Sequence, residues 1–346
     1  MVGLCNCSQA MKKPKLLVIE LWGVGDLAIA TPFLRKISEK YDVTLLSKSY
    51  AIDLQQHFMP LVMIAPFNAP WTAFKGKYRI LSWPWRTLFS IVRQLHRTHF
   101  DVALSARWDP RDHLLLWLTG AKMRLGFPRT GSRIFLTNAL TSPNHAEHRY
   151  EYWRAMAQGL GVDLEPRNRI QLKQIQKGRV IFVHTGAGQP VRVWPLQQYR
   201  NLVQRLREHH YSVKVVCNPE QREWWLNAGE KHVETPQTIT DLLHLMEGSA
   251  AFLGNDSGPG HLAAFCGIPT FTFFGPQVPE WFVPLHPAAE WSPGKACPYK
   301  PCSDSCRFPT PFCLQDVTCD EVWPRVQKFV QKFADDSPLA PTHEAT

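Results

Sequence analysis

The sequence predicts an α/β protein made of two Rossmann-like domains, and three observations lead to this prediction. With 346 residues the chain is too long for one ordinary hydrophobic core, so its length favours two domains. Each half opens with an apolar strand, a glycine-rich turn and a helix: KLLVIE precedes LWGVGD, and RVIFVH precedes TGAGQPVRVWP. A third apolar run, at 250–253, leads into the turn NDSGPGH and a helix of small residues. Repeated units of this kind build parallel sheets covered by helices.

Hydrophobic periodicity orders the elements of the first half. We expect strands at 15–20, 43–46, 61–66 and 102–105, and helices at 27–40, 84–97 and 147–160. The stretch 67–85 is rich in proline, tryptophan and basic residues and lacks periodicity, so we interpret it as a basic aromatic loop that faces a partner. The polar segment 161–177, which contains Pro166, is a reasonable linker between the domains.

The second half repeats the alternation. We expect strands at 179–184, 212–216, 250–253 and 270–274, and helices at 195–208, 219–229, 239–246, 259–265 and 321–333, the last amphipathic. The resulting boundaries are a flexible leader at 1–13, a first domain at 14–165, a second domain at 175–320 with a cysteine-rich segment at 297–319, a terminal helix at 321–334 and a disordered tail at 335–346.

The net charge of +10 is concentrated in the first half of the chain. Residues 1–170 carry 23 Lys and Arg against 12 Asp and Glu, whereas residues 171–346 carry 16 against 17. This asymmetry indicates either an anionic partner of the first half (nucleic acid, an acidic lipid surface or an acidic glycolipid) or simply a basic surface. Aromatic and basic residues together suit single-stranded nucleic acid, but no nucleic-acid-binding motif accompanies them, so we expect no nucleic acid partner.

The compartment is predicted from what the sequence lacks. The sequence has no run of 18 apolar residues that could span a membrane, and its first residues have no apolar signal region, so we expect a cytoplasmic protein.

Nine cysteines are present. Cys217 and Cys266 lie in apolar runs and are expected in the core. Five cysteines lie close together near the C-terminus, at a spacing that resembles a metal site: Cys297, Cys302, Cys306, Cys313 and Cys319. Because no clean CxxC pair occurs among them, metal binding, disulfide pairing and free thiols all stay open.

The turn after the strand at 250–253 is the strongest candidate site. Within six positions it holds a carboxylate, a hydroxyl, two glycines and an imidazole: Asp256, Ser257, Gly258, Gly260 and His261. Free N–H groups and the positive end of a helix N-terminus can hold a phosphate there, while the carboxylate and imidazole reach other parts of a ligand. The alternative is a helix capped by Ser or Asp, as in any α/β protein.

Two further turns supply matching chemistry. In GVGD, Asp26 follows a tight glycine turn and can act as a base toward a sugar hydroxyl, or it can merely cap the helix. In TGAGQPVR, the backbone of a glycine-rich loop can approach a diphosphate, and Arg192 can neutralise it; a plain surface loop with one arginine is the alternative. The GK[ST] ending of a P-loop is missing, which disfavours ATP hydrolysis.

These motifs resemble those of a known family. DSGPGHLAAFCGIPTFTFFGP is similar to the D-[ST]-G-x-x-H-L-A-A motif of glycosyltransferase family nine, the ADP-heptose:lipopolysaccharide heptosyltransferases. GVGDLAIATPFL and GAGQPVRVWPLQQY resemble that family's N-terminal segment and its glycine-rich loop, in the same order. The resemblance covers roughly residues 14–330, although Arg192 stands where many members have lysine.

The resemblance implies the GT-B architecture: two Rossmann-like domains facing across a cleft, the first for the acceptor and the second for the nucleotide sugar, with the final helix packing on the first domain. It implies inverting transfer with no metal or cofactor, with Asp26 as general base. Phosphate would be bound by Thr185, Gly186, Gly188 and Arg192, the ribose by Glu220, and sugar and diphosphate by Asp256, Ser257, Gly258 and His261.

The implied partners are a nucleotide-diphosphate sugar, with ADP-heptose first, and an acidic glycolipid at the inner membrane surface. That acceptor agrees with the positive first half. Two alternatives remain at this point: the same fold with a different donor or acceptor, or a non-catalytic protein that binds nucleotide sugars or metal. The presence of Asp26 together with the DSGPGH turn argues against the second.

Overall fold

The computed structural model describes residues 12–73, 78–170, 178–302 and 305–334. The chain divides into two compact units. The first unit contains the chain up to Trp22, Thr31–Pro143 and Tyr152–Leu164. The second contains Gly23–Ala30, Asn144–Glu151 and the chain from Glu165 onward. The predicted tail and nearly all of the predicted leader lie outside the described residues.

The first sheet has six strands that pair in parallel in the order β3-β2-β1-β4-β5-β6. Its strands are β1 (Lys15–Ile19), β2 (Asp42–Ser47), β3 (Met63–Pro66), β4 (Val102–Ser105), β5 (Met123–Gly126) and β6 (Asn138–Ala139). The helices of this half are α1 (Val24–Ile37), α2 (Ala51–Phe58), α3 (Trp85–Thr98), α4 (Pro110–Leu118) and α5 (Arg149–Gly159).

The second sheet also has six parallel strands, in the order β12-β11-β10-β7-β8-β9. Its strands are β7 (Val180–His184), β8 (Ser212–Val216), β9 (Val233–Glu234), β10 (Ser249–Asn255), β11 (Thr270–Phe273) and β12 (Glu290–Ser292). The helices are α6 (Leu196–Glu208), α7 (Arg222–Asn227), α8 (Ile239–Met246), α9 (Gly258–Phe265), α10 (Pro279–Phe282), α11 (Phe312–Gln315) and α12 (Cys319–Ala334).

The central strands are buried on both faces, which is why they read as continuous apolar runs in the sequence. All seven residues of β10 are buried, as are four of the five in β1 and in β7. The prediction of two parallel α/β sheets is therefore confirmed.

Each sheet reverses its strand order at one place, between β1 and β4 and between β7 and β10. Ligands of open parallel sheets bind in the crevice outside the carboxyl ends of the strands at such a place. The turn with Asp26 follows β1, the glycine-rich loop at 185–188 follows β7, and the DSGPGH turn follows β10. All three candidate motifs thus leave a strand at a point of reversal.

The interpretation of 67–85 as one partner-facing loop needs correction. Its beginning is part of the core: Phe67, Ala69 and Trp71 are buried and pack with residues of β1 and β4. Two short 3-10 turns, Pro70–Thr72 and Ile80–Ser82, interrupt it. After the undescribed residues 74–77, the side chains from Tyr78 to Trp85 are exposed except for that of Trp83, which is half-buried.

The terminal helix buries one face in the second unit, and its expected packing on the first domain stays a prediction. The buried face of α12 lies in the core of the second unit, where it packs with residues of β7, β10 and α6. Four apolar residues one or two turns apart form this face: Val322, Val326, Phe329 and Val330. Their spacing predicted an amphipathic helix, but only the tertiary contacts decide which core receives it. Among the described residues, no helix combines the length and the hydropathy needed to cross a bilayer.

Candidate active site

The loops after β7 and β10 are held together by one buried amide. The Nδ2 group of Asn255 donates a hydrogen bond to the carbonyl oxygen of Thr185 over 2.9 Å, and its Oδ1 accepts one from the backbone N–H of Trp194, also over 2.9 Å. Asn255 has no exposed surface. Because the amide is buried and satisfied, it fixes the two loops relative to each other. No sequence motif indicated this role for Asn255.

Trp194 anchors the segment that carries Arg192. Its indole stacks on Phe273 with ring centroids 4.4 Å apart, and its Nε1 donates a hydrogen bond to the carbonyl of Val317. The indole is completely buried. The Trp-Pro pair after the glycine-rich loop is therefore a packing anchor, and it sets where the preceding arginine can reach.

Arg192 and Asp256 form an ion pair across the two loops. Nη1 of Arg192 lies 3.3 Å from Oδ2 of Asp256. The carboxylate side chain is 3% exposed, whereas a quarter of the guanidinium side chain faces solvent. A guanidinium presents its donors in a planar fork suited to phosphate oxygens. The buried carboxylate of Asp256 therefore orients the partly exposed positive charge of Arg192 beside the glycine-rich loop.

The two glycines of the loop differ in their surroundings. A Cβ on Gly186 would lie 2.0 Å from Oδ1 of Asn218, so any other residue there would have to displace the Asn218 side chain. A Cβ on Gly188 would meet nothing within 4 Å, and this glycine is exposed. Gly186 is thus required by packing. Gly188 instead leaves open space beside the backbone, which is what a bound phosphate needs.

Thr185 and Glu220 lie at the same edge of the sheet. The Thr185 hydroxyl is buried, donates to Oε1 of Gln221 over 3.0 Å and accepts from Nε1 of Trp225 over 3.3 Å. Its side chain is thereby engaged inside the protein, and the phosphate role stays a prediction. Glu220 is exposed after β8 and accepts a hydrogen bond from Nδ2 of Asn218, which also donates to the carbonyl of Ala187. This amide connects the carboxylate to the glycine-rich loop.

The turn after β10 leads directly into α9. The hydroxyl of Ser257 donates to the carbonyl of Asn255 over 3.2 Å and makes no capping bond to α9. Gly258 begins the helix, and a Cβ there would lie 3.0 Å from Cβ of Val24. The first turn of α9 thus packs closely against the segment Gly23–Ala30, which belongs to the same unit.

His261 and Asp26 are brought together by this packing. A Cβ on Gly25 would lie 2.8 Å from Cδ2 of the His261 ring. Burial lowers the pKa of His261 to about 4, although the negative charge of Asp26 acts in the opposite direction; the positive charge of Arg192 adds to the lowering. At neutral pH the ring is therefore uncharged and can donate one hydrogen bond and accept another.

Asp26 makes a local bond and also has neighbours from the distant turn. Its Oδ2 accepts a hydrogen bond from the backbone N–H of Gly23 over 3.1 Å, which is the kind of bond a capping carboxylate makes. The side chain is half-buried and interacts electrostatically with His261. The capping alternative considered from the sequence is thus present together with a place in the site.

Two buried histidines near this site carried no sequence signal. The Nε2–H group of His148 donates to the carbonyl of Val283, while its Nδ1 accepts from the N–H of Tyr150, so both nitrogens are used. Burial, aided by the charge of Arg167, lowers the pKa of His148 to about 3. Burial likewise lowers the pKa of His184, the last residue of β7, to about 4. Both histidines are therefore uncharged at neutral pH.

The first unit has its own charged cluster at the carboxyl ends of β1 and β4. Oε2 of Glu20 lies 3.9 Å from Nε of Arg107, and the guanidinium of Arg107 lies over the indole of Trp22 at 5.1 Å from the ring centroid. Glu20 is buried, with 1% of its surface exposed. No sequence motif pointed to Glu20 or Arg107, and Trp22 stands in the turn LWGVGD without a polar group typical of a site.

Part of the cysteine-rich segment lines a cavity. Four of its cysteines line one cavity together with Lys300: Cys297, Cys302, Cys306 and Cys313. In the part of the chain that the structure describes, no group of three or more His, Cys, Asp or Glu side chains is arranged to hold a metal ion. Cys217 and Cys266 are buried, as expected.

Together these features define a class of protein. A neutral imidazole, a carboxylate, an arginine held by a second carboxylate and an open glycine loop converge where parallel strands end, which is typical of α/β enzymes that handle phosphorylated nucleotides. Comparison with known proteins narrows this class. The family model of glycosyltransferase family 9 (heptosyltransferase) matches residues 88–309, more than half of the chain. The chain therefore belongs to this family.

Individual relatives agree with this assignment. The chain is 29% identical over 142 residues to lipopolysaccharide heptosyltransferase 1 of Pseudomonas aeruginosa, a match that spans 39% of each protein. The family 9 glycosyltransferase from Veillonella parvula superposes with a TM-score of 0.73 at 16% identity, covering 93% of this chain and 98% of that one. The E. coli heptosyltransferase WaaC with ADP gives 0.70 at 14% identity, covering 91% and 99%. The fold is accordingly that of the GT-B heptosyltransferases.

Proposed function

We propose that this protein transfers heptose from ADP-heptose to an acidic, lipopolysaccharide-core type glycolipid at the cytoplasmic face of the inner membrane. The single observation that carries the proposal is the convergence of Asp26, His261 and the Arg192–Asp256 pair at the ends of β7 and β10. The donor is supported by the family and by the E. coli relative whose structure contains ADP. The acceptor is supported by the lipopolysaccharide heptosyltransferase relative and by the positive first half.

The proposed reaction is a single displacement at the anomeric carbon. A hydroxyl oxygen of the acceptor attacks from the face opposite the diphosphate, the bond from that carbon to the diphosphate oxygen breaks, and Asp26 takes the hydroxyl proton. ADP leaves and the configuration inverts. No metal is needed in this scheme, because the charge that develops on the diphosphate is met by protein groups.

Different groups of the site would contact the diphosphate, the ribose and the sugar. Arg192, oriented by Asp256, stabilises the leaving diphosphate, as do the N-terminus of α9 at Ser257 and Gly258 and the open backbone at Gly188. Glu220 accepts hydrogen bonds from the ribose. Neutral His261 donates a hydrogen bond toward the sugar or diphosphate.

A thermal-shift screen tests the donor directly. Purified protein is mixed with ADP-heptose, UDP-sugars, GDP-sugars and other ADP-sugars, and the ligand that binds raises the unfolding temperature as its concentration exceeds Kd. We expect ADP-heptose to give the largest shift. A larger shift with a UDP- or GDP-sugar would show that the donor is that sugar and not ADP-heptose, and it would leave the fold assignment unchanged. Binding of ADP-heptose without transfer to any lipopolysaccharide-core acceptor would favour a non-catalytic binding protein.

A further inference from the structure

The exposed side of α3 and the turn before it form a surface that the proposed chemistry does not use. We name it the Leu81 surface and define it by four apolar and four basic residues: Ile80, Leu81, Trp85 and Phe89, with Arg79, Arg86, Arg93 and Arg97. All eight are exposed. Leu81 is 99% exposed and Phe89 69%. Contiguous exposed apolar groups of this kind mark interaction sites rather than ordinary surface.

The arginines of α3 lie in line with its exposed aromatic ring. Arg86, Phe89, Arg93 and Arg97 are spaced by three, four and four residues, so they follow one stripe of the helix. The opposite side of α3 is buried through Ile91 and Leu95. The helix is therefore amphipathic in an unusual sense, because its outward face carries both cations and an exposed phenyl ring.

The stretch of chain that carries this surface contains no acidic residue. From residue 54 to residue 100 the sequence contains no Asp or Glu, while it contains six Lys and Arg. Nothing in this stretch of sequence offsets the positive potential. A partner that covers the surface must therefore bring its own negative charges, and it must also accept aliphatic side chains.

The apolar part of the surface is rooted in the core. Ring contacts run outward from buried Trp71 to Trp83, Trp85 and Phe89, with centroids 5.7, 5.6 and 6.2 Å apart in turn. Nε1 of Trp85 donates to the carbonyl of Ile80 over 3.1 Å, which ties the helix to the turn that presents Leu81. The tip is thus held by packing and hydrogen bonding, as a membrane anchor of fixed shape would be.

We infer that the Leu81 surface docks on a lipid bilayer with anionic headgroups. Leu81 and Ile80 would enter the acyl boundary, Trp85 and Phe89 would lie at the headgroup level, and the arginines would pair with lipid phosphates. A single-stranded nucleic acid would also attract the arginines, but it gains from aromatic stacking and not from an aliphatic tip. A second copy of this chain would have to bring acidic residues to this surface. An anionic bilayer offers an apolar interior to the apolar residues of the Leu81 surface and phosphates to its arginines.

Vesicle flotation with the full chain tests this inference. Vesicles of phosphatidylcholine alone are compared with vesicles that also contain phosphatidylglycerol, at low and at high salt. We expect the protein to float with the anionic vesicles and to be released by salt, because headgroup attraction is screened. Leu81→Ser should weaken binding ~10-fold. Each of Arg86→Ala and Arg93→Ala should weaken it roughly fivefold.

Matched controls come from exposed residues of the second unit. Leu226→Ser and Arg200→Ala change the same residue types on α7 and α6 and should leave flotation unchanged. The inference is overturned if wild-type protein does not float, if the controls lose as much binding as the Leu81 surface variants, or if Leu81→Ser alters only the oligomeric state in sedimentation or only the binding of an oligonucleotide.

Membrane docking rests on the proposed function only for its biological role, because a lipid-linked acceptor would lie in the same membrane. The two can fail separately. Flotation is measured without donor or acceptor, and Asp26→Asn should float like wild type. Conversely, Leu81→Ser should keep the thermal shift with ADP-heptose and the transfer rate to a delipidated, soluble acceptor.

Discussion

The ring of His261 lies directly against Gly25, so that a Cβ on the glycine would approach Cδ2 of the ring to 2.8 Å. This contact is the reason that Asp26, the next residue, shares an environment with the DSGPGH turn. It also explains the glycine in GVGD, because a side chain at position 25 would push the histidine away. The assignment of Asp26 as base depends on this contact.

Replacing Asp26 by Asn should remove most transfer and leave donor binding nearly intact. The amide keeps the shape and can still accept a hydrogen bond from Gly23, but it cannot take a proton, and a positioned general base contributes ~10²–10⁴-fold to a rate. Rates of transfer and Kd for ADP-heptose are measured on the same preparation. If donor binding falls and the rate at saturating donor does not, Asp26 has another role.

The Arg192–Asp256 pair should act as one unit in donor binding. Asp256→Ala leaves the guanidinium without the buried carboxylate that orients it, and we expect donor affinity to fall ~10-fold or more. Arg192→Lys keeps the charge but loses the planar fork, so a smaller loss is expected. The double variant should be little worse than the worse single one. Unchanged affinity in Asp256→Ala and His261→Ala would remove these residues from the donor site.

The two loop glycines should separate folding from binding. Gly186→Ala places a methyl group against Oδ1 of Asn218 and should lower the free energy of unfolding by about 1–3 kcal/mol. Gly188→Ala meets no neighbouring atom and should change stability by less than about 0.5 kcal/mol. If a diphosphate lies against the backbone there, Gly188→Ala should nevertheless weaken donor binding. Urea unfolding and donor titration of both variants distinguish these effects.

Asp112 should make the stability of the protein depend on pH. The carboxyl is fully buried and accepts hydrogen bonds from Nε1 of Trp71 and the hydroxyl of Ser105. Burial, with the nearby charge of Asp109, raises its pKa to about 7. The unfolded carboxyl ionises near pH 4, so stability is lost as pH rises from about 4 toward 7, by about 1.4 kcal/mol per pH unit.

Asp112→Asn removes this titration and tests the sign. The variant should gain stability relative to wild type as pH rises from 5 to 8, as followed by urea unfolding. Asp109 serves as a control: burial raises its pKa, but hydrogen bonds from Arg111 outweigh burial and leave it lowered. The stabilisation that Asp109 itself provides is therefore lost only below about pH 4, while its charge contributes to the raised pKa of Asp112. Between pH 5 and 8, Asp109→Asn should gain less stability than Asp112→Asn, and an equal or larger gain would contradict the assignment.

Thiol reactivity should divide the cysteines by position. Burial raises the pKa of Cys217 and of Cys319 to about 11, whereas Cys297 and Cys306 are partly exposed. Because the thiolate is the reactive form and must be accessible, an alkylating reagent at pH 8 should label Cys297 and Cys306 before Cys217 and Cys319. Peptide mapping after timed quenching measures this order. Faster labelling of Cys319 would show that α12 opens from the second core.

Local signals explain what could be predicted about the fold. The apolar runs of β1, β4, β7 and β8 and the period of α6, α8 and α12 are properties of short segments, and the predicted elements lie within a few residues of the observed ones. Helix α4 was missed, although Asp109-Pro110 is a start signal: Asp109 caps it and proline occupies its first turn. Weighing that signal above the irregular apolar pattern would have found it.

The sequence by itself determined the two parallel sheets and the three turns that carry the candidate residues, because strand, turn and helix preferences act over a few neighbouring residues. Tertiary structure decided the rest. It buried Phe67 and Trp71 while exposing Leu81, placed α12 in the second core, and packed Gly25 against His261. These outcomes depend on contacts between segments far apart in the chain, and burial then sets the charge of the imidazole that faces Asp26. Only the folded chain makes a capping carboxylate and a helix histidine neighbours.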